Sequence, residues 1–120
     1  MNTAICITLL EDMRLTMPNN KIVIKMGGGL ITDKSQYKAV LQERINAVCK
    51  VVAQIKKNKD SIILVHGAGS FGHLQAKKWS LQNGFDEDII ENQRKAVKSV
   101  RDDMIELNSY ILKSLNYYGI

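Results

Sequence analysis

Two short aliphatic runs, each halted by glycine, constrain this chain more than anything else in it. Residues 21–25 read Lys-Ile-Val-Ile-Lys and stop at Gly27, Gly28 and Gly29. Residues 61–65 read Ser-Ile-Ile-Leu-Val and stop at Gly67 and Gly69. Both runs predict buried strands closed by glycine turns. Between them, from Gln36 to Lys57, apolar residues recur in steps of three and four: Val40, Leu41, Ile45, Val48, Val51, Val52, Ile55. That spacing predicts an amphipathic helix. Lys56, Lys57 and Lys59 close it where the helix dipole favours cations. Strand, helix, strand makes one βαβ unit with parallel strands. Both glycine turns then fall at carboxyl ends of neighbouring strands, where open α/β sheets bind ligands.

Residues 30–35 (Leu-Ile-Thr-Asp-Lys-Ser) read as a polar connection after the first turn. After the second turn, a short helix is expected over 71–81 and a loop over 82–88. A long helix is expected from Ile89 to Tyr117, with Val97, Val100, Met104, Leu107, Ile111, Leu112 and Leu115 at helical spacing. Two strands cannot cover the faces of a doubly wound sheet, so the chain reads as the first half of something larger.

Composition narrows the classes. With 120 residues, 45% of them hydrophobic, and a single proline, the chain has the makeup of one small globular domain. The net charge of +5 suits an anionic ligand. Nucleic acid is not the expected partner, because the charges alternate in sign and never form a basic block. Cys6 and Cys49 stand far apart without metal-ligand spacing and read as free thiols of a reducing cytoplasm. No run reaches the ~18 apolar residues of a membrane span. Residues 1–20 carry no basic leader, and Met17-Pro18 lies just before the first strand, so they read as a loose N-terminal extension.

Gly67, Gly69 and Gly72 have the spacing of a dinucleotide-binding fingerprint. That fingerprint also needs an acidic residue at the end of a second strand about 20 positions on. Asp86, Glu87 and Asp88 lie near that distance but in a loop between helices. A P-loop is absent, since no GxxxxGK[ST] occurs. A phosphate cradle uses more of the sequence. Glycines at two adjacent strand ends let backbone N–H groups approach phosphate oxygens. Lys25 closes the first strand, Lys34 follows nine residues on, and His73 follows Gly72. All three can direct positive charge or a hydrogen-bond donor at one anion.

The stretches KIVIKMGGGLITDKSQY and ILVHGAGSFGHLQAKKW resemble the two amino-terminal motifs of isopentenyl phosphate kinases, in the amino acid kinase superfamily. Those motifs run approximately K-x-G-G-[SAG]-x-I-T-x-K and H-G-[GA]-G-S-F-G-H. The terminal histidine typifies the isopentenyl phosphate and fosfomycin kinase branch. The resemblance covers residues 21–120. It implies an α/β, three-layer α-β-α fold with a mostly parallel sheet, of which this chain holds the amino-terminal, phosphate-acceptor half. It implies ATP and Mg²⁺ as cofactors, with no metal ligand assigned to this chain. The implied reaction is phosphorylation of isopentenyl phosphate for isoprenoid biosynthesis by a cytoplasmic enzyme, a homodimer when complete. Two alternatives remain open at this point: a non-catalytic half that binds a phosphorylated metabolite, and a related small-molecule kinase acting on a fosfomycin-like acceptor.

Carried over by motif, the resemblance gives Lys25 and the Gly27, Gly28 and Gly29 backbone to the ATP phosphates. Lys34 would stabilise the phosphoryl group in transfer, and Gly69 would lie against the nucleotide. Ala68, Gly72 and His73 would meet the acceptor phosphate, with His73 as hydrogen-bond donor. Val97 and Val100 would line the pocket for the five-carbon tail. Gly29 stands where the family often has serine, and Ala68 where it often has glycine.

Overall fold

The computed structural model describes residues 21–59 and 61–120; the expected extension over 1–20 lies outside them. The described chain runs β1 (Lys21–Met26), α1 (Gly28–Ile31), α2 (Gln42–Lys56), β2 (Ser61–His66), a 3₁₀ turn (Gly69–Phe71), α3 (His73–Lys78), a second 3₁₀ turn (Leu81–Asn83) and α4 (Ile90–Tyr117). Both strands extend one residue beyond the sequence reading. They pair in parallel, Lys21 opposite Ser61 through Met26 opposite His66. Gly67 N donates to Met26 O at 2.9 Å and carries the ladder into the second glycine turn.

The sheet is covered on one face. Alternation along β1 sends Ile22 and Met26 inward, and Met26 joins a core of Ile31, Ile45, Cys49, Phe71, Leu107 and Ile111. Leu64 of β2 packs on the same cluster. Helices α2 and α4 supply most of it and meet side by side. Ser114 Oγ donates to Asn46 Oδ1 at 2.9 Å across that contact, and the Cys49 thiol lies 3.9 Å from Ile111 O. Burial pushes the Cys49 thiol above its ordinary range, as expected for an inert core cysteine. Val23, Ile63 and Val65 point to the other face and are 63%, 60% and 43% exposed. The expectation of two buried strands is therefore met on one face of the sheet only. Aliphatic runs suit burial on both faces, but among the described residues only one layer of helices packs on this sheet.

Three further expectations change. Gly28 and Gly29 belong to a single helical turn, not a loop. The long middle helix starts at Gln42, not Gln36. Residues 33–41 instead form a closed loop whose base is the antiparallel Thr32–Val40 bridge, with Asp33 N donating to Ala39 O at 2.9 Å. Lys38 sits in left-handed backbone, φ 54°, which stops a helix from running through it. Likewise, the short helix expected over 71–81 ends at Lys78, because Ser80 takes φ 49°. The long helix α4 is as expected to within one residue. Its N-terminal turn is held by buried Gln93, whose Nε2 donates to Trp79 O and Gly84 O at 3.0 and 3.1 Å.

Leu107 is fully buried, whereas Leu112 on the same helix is 51% exposed. Leu107→Ala is expected to cost about 2–5 kcal/mol of unfolding free energy, the usual range for emptying a core site. Leu112→Ala should stay within about 0.5 kcal/mol. Urea denaturation of both variants checks this, and equal losses would contradict the one-sided core.

Candidate phosphate-binding site

The parallel register brings the two glycine turns to the same level, and they touch backbone to backbone. A Cβ built on Gly28 would overlap Gly69 N and stand 2.6 Å from Gly69 Cα. One on Gly67 would stand 2.7 Å from Gly28 N. Gly69 carries the further constraint of left-handed backbone, φ 51°, and a Cβ there would overlap Thr32 Oγ1. These three glycines are needed for turn-to-turn packing before any ligand is considered.

A buried hydroxyl fastens the seam. Thr32 Oγ1 donates to Gly28 O at 2.7 Å and accepts from Ser70 N at 2.9 Å, so one side chain joins the first turn to the second. Ser70 in turn accepts from Ala39 N through its Oγ at 3.2 Å. Thr32 and Ser70 are both 1% exposed.

The other two motif glycines differ in kind. Gly27 has open space where a Cβ would be. At Gly29 a Cβ would stand 2.6 Å from Lys34 Cε and 3.1 Å from Lys34 Nζ, so the Lys34 side chain lies back across the first turn. Serine at this position would only displace the flexible end of Lys34. Glycine lets the ammonium rest directly over the turn. Gly27, Gly29 and Lys34 are all exposed, which leaves this side of the seam open to an anion.

On the far side of the seam, Gly72 is buried against Ala68 and Val100; a Cβ on it would stand 2.6 Å from Ala68 Cβ and 3.6 Å from Val100 Cγ1. His73 follows as the exposed first residue of α3. Val97 lies one turn before Val100 on α4 and is 46% exposed, an apolar surface without a covering partner among the described residues. The expected residues thus fall into two groups joined at the Gly28–Gly69 contact. Gly27, Gly28, Gly29 and Lys34 form one; Ala68, Gly72, His73 and Val100 form the other. Lys25 lies near the end of β1, just before the first turn. It is exposed on the uncovered face of the sheet, opposite Val65.

Sequence reasoning missed several residues that build this site. Thr32 and Ser70 are ordinary polar residues within the motifs. His66, the last residue of β2, has Nδ1 3.2 Å from Gly67 O and Nε2 3.3 Å from Asn108 Oδ1 of α4, so its ring spans from the second turn to the long helix. Asp103 had a detectable signal. It occupies the apolar stripe of α4 between Ala96 and Leu107, a position where a carboxylate needs a partner. A hollow of about 420 Å³ lined by Gln42, Asn46, Tyr110, Lys113, Ser114 and Tyr117 lies between α2 and α4 and includes none of the motif residues.

With this geometry in hand, the comparisons are specific. The profile of the amino acid kinase family matches residues 20–120. The chain belongs to the amino acid kinase family. It is 40% identical over 60 residues to an isopentenyl phosphate kinase of Thermoplasma acidophilum, covering 50% of this chain and 23% of that protein. It is 31% identical over 105 residues to the isopentenyl phosphate kinase of Methanocaldococcus jannaschii, covering 82% of this chain and 40% of that protein. The T. acidophilum enzyme, solved as a product complex, superposes with a TM-score of 0.73 at 29% identity over 83% of this chain and 40% of that one. A substrate complex of an isopentenyl phosphate kinase superposes with a TM-score of 0.71 at 26% identity, over 84% of this chain and 40% of that one. The chain therefore spans at most about 40% of the length of these relatives. Its fold is that of their matching segment.

The seam is expected to be sensitive to single atoms. Thr32→Val leaves the buried Ser70 N–H without its acceptor and should cost about 1–3 kcal/mol. Gly69→Ala adds about 1–2 kcal/mol of left-handed strain to a direct overlap and should be worse than Thr32→Val. Denaturation midpoints check the order. A neutral Gly69→Ala would mean the two turns are not in contact.

Proposed function

We propose that this chain provides the acceptor side and half of the phosphate cradle of an ATP-dependent kinase whose acceptor is isopentenyl phosphate, the product being the diphosphate used in isoprenoid biosynthesis. The observation that carries this reading is the seam itself. It holds Lys34 over an open glycine turn on one side and His73 beside a buried Gly72 on the other. Relatives to which the chain is 40% and 31% identical over the matched stretches are isopentenyl phosphate kinases.

The chemistry fits the residue set. A phosphate monoester has a second pKa near 6, so at pH 7 the acceptor is already a dianionic nucleophile. No general base is required. The difficulty is holding two anions in line and stabilising the charge that spreads over the transferred group. Backbone N–H groups at Gly27–Gly29 and the Lys34 ammonium answer that need on the nucleotide side. On the acceptor side His73 acts as an orienting donor, while Val97 and Val100 offer apolar surface for the hydrocarbon tail. Lys25, on the uncovered face, adds positive charge at the same end of the sheet. The glycine turn fits a polyphosphate, because Gly27 is open and Gly29 faces only a movable lysine. Mg²⁺, implied by the family, would counter the phosphate charge. Among the described residues no group of three or more His, Cys, Asp or Glu could hold a metal ion.

Three measurements test the reading. In a complete kinase containing this segment, His73→Ala should cost about 2–3 kcal/mol of transition-state stabilisation, the scale of one lost donor to an oxyanion. Lys34→Met should lower kcat more than it raises KM. Unchanged turnover in His73→Ala, or a pure KM effect in Lys34→Met, would remove those assignments. The 120-residue chain alone should bind isopentenyl phosphate in a calorimetric titration and yield no diphosphate with ATP. Phosphorylation by this chain alone would overturn the division of labour.

A further inference from the structure

The loop bearing Lys34 is tied down twice. Its base is the Thr32–Val40 bridge described above. Its tip is held by α4, 66 and 68 residues away in sequence: Tyr37 Oη donates to Asp103 Oδ2, and Lys38 Nζ pairs with Glu106 Oε2 and, at 3.2 Å, with Asp103 Oδ1. Asp103 is 7% exposed, so its carboxylate is largely withdrawn from water and satisfied by these two partners. Glu106 first, then Asp103, hold the Lys38 ammonium above its ordinary range, and Asp103 raises the Tyr37 phenol. Lys38 also adopts its left-handed backbone here, with its N–H 3.5 Å from Ser70 O and its ammonium 5.9 Å from the centre of the Phe71 ring. A polar chain therefore runs unbroken from α4 through Lys38, Ser70 and Thr32 to Gly28.

We infer that Asp103 is a positioning residue for Lys34: through Tyr37 and Lys38 it clamps the 33–40 loop to α4, so that Lys34 is held across the first glycine turn. Surface charge alone does not account for the arrangement. A lysine in left-handed backbone is strained, and a buried carboxylate is costly without partners. Each supplies what the other needs, and the loop between the clamp and the bridge has little freedom left. Asp103 does not touch the phosphate turn, so its effect on a bound anion passes through Lys34. That consequence rests on the phosphate-binding reading given above; the clamp itself does not.

Amide hydrogen exchange on the 120-residue chain reads the clamp without turnover. Asp103→Asn and, separately, Lys38→Asn are the variants. Asparagine tolerates left-handed backbone, so the second deletes the ion pairs without new strain. Exchange at the Asp33, Ala39 and Ser70 amides should speed up at least about 10-fold, with the β1, β2 and mid-α2 amides within about 2-fold of wild type. Unchanged exchange at those three amides overturns the clamp. So does an even rise across the whole chain, which is loss of the fold rather than release of a loop.

Positioning is read by protection of Lys34 from acetylation by inorganic tripolyphosphate, followed by peptide mass spectrometry. The half-protecting concentration should rise about 10-fold in Lys38→Asn, a shift a purely structural role would not produce. Equal concentrations in the two proteins overturn the positioning role. If Lys34 of the wild-type chain is not protected at all, the phosphate-binding reading fails and the positioning role with it, while the exchange result still decides the clamp.

Discussion

Everything at the candidate site depends on two glycine turns lying in direct backbone contact. Gly28 and Gly69 approach so closely that neither position has room for a methyl group. Such contact is possible because parallel pairing sets Met26 opposite His66 and ends both strands at the same height. Thr32 then converts proximity into a fixed joint, since its hydroxyl is bonded on both sides of the seam. The joint decides what leaves it. The chain exits the first turn toward Lys34 and the second toward His73, so these two side chains flank one rigid seam.

The sheet's one-sided burial follows from what the chain contains. Helices α2 and α4 both pack on the face carrying Ile22 and Met26. The opposite face keeps Val23, Ile63 and Val65 in solvent beside Lys21 and Lys25. A surface of aliphatic side chains on the central strands of an α/β fold is normally an inner surface. The chain spans about 40% of its relatives' length, and its strands carry the residue pattern of a sheet covered on both sides.

Local punctuation was legible in the sequence, and tertiary pairing was not. Glycines after β-branched runs located both strands, both turns and their parallel order, because strand propensity and turn chemistry act over a few residues. The long helix was legible for the same reason, from Leu107 and Ile111 on one stripe. The start of α2 was not. Val40 and Leu41 fit the helical period, but Val40 is taken up by a bridge to Thr32, and Lys38 breaks the helix through contacts with residues far along the chain. At the site, the motifs marked the glycines and cations on which the proposed reading rests. They did not reveal that Gly28, Gly67 and Gly69 serve mutual packing, that Gly29 makes room for Lys34, or that Lys25 lies on the uncovered face of the sheet. Those distinctions depend on which backbone lies opposite, and a motif does not record that.

One helix serves as the reference for both halves of the site. Val100 of α4 packs on Gly72, next to His73. Asp103, one turn further, holds Lys38 and thereby the loop of Lys34. A 28-residue helix seated on the core through Leu107 and Ile111 is stiff over that short interval. The Gly72–His73 side and the lysine loop are therefore positioned from the same rod, less than two turns apart. On the proposed phosphoryl-transfer reading, which asks a protein mainly to hold two anions in line, a shared mounting matters more than any single contact, because a displacement of the helix carries both sides together and changes their separation little.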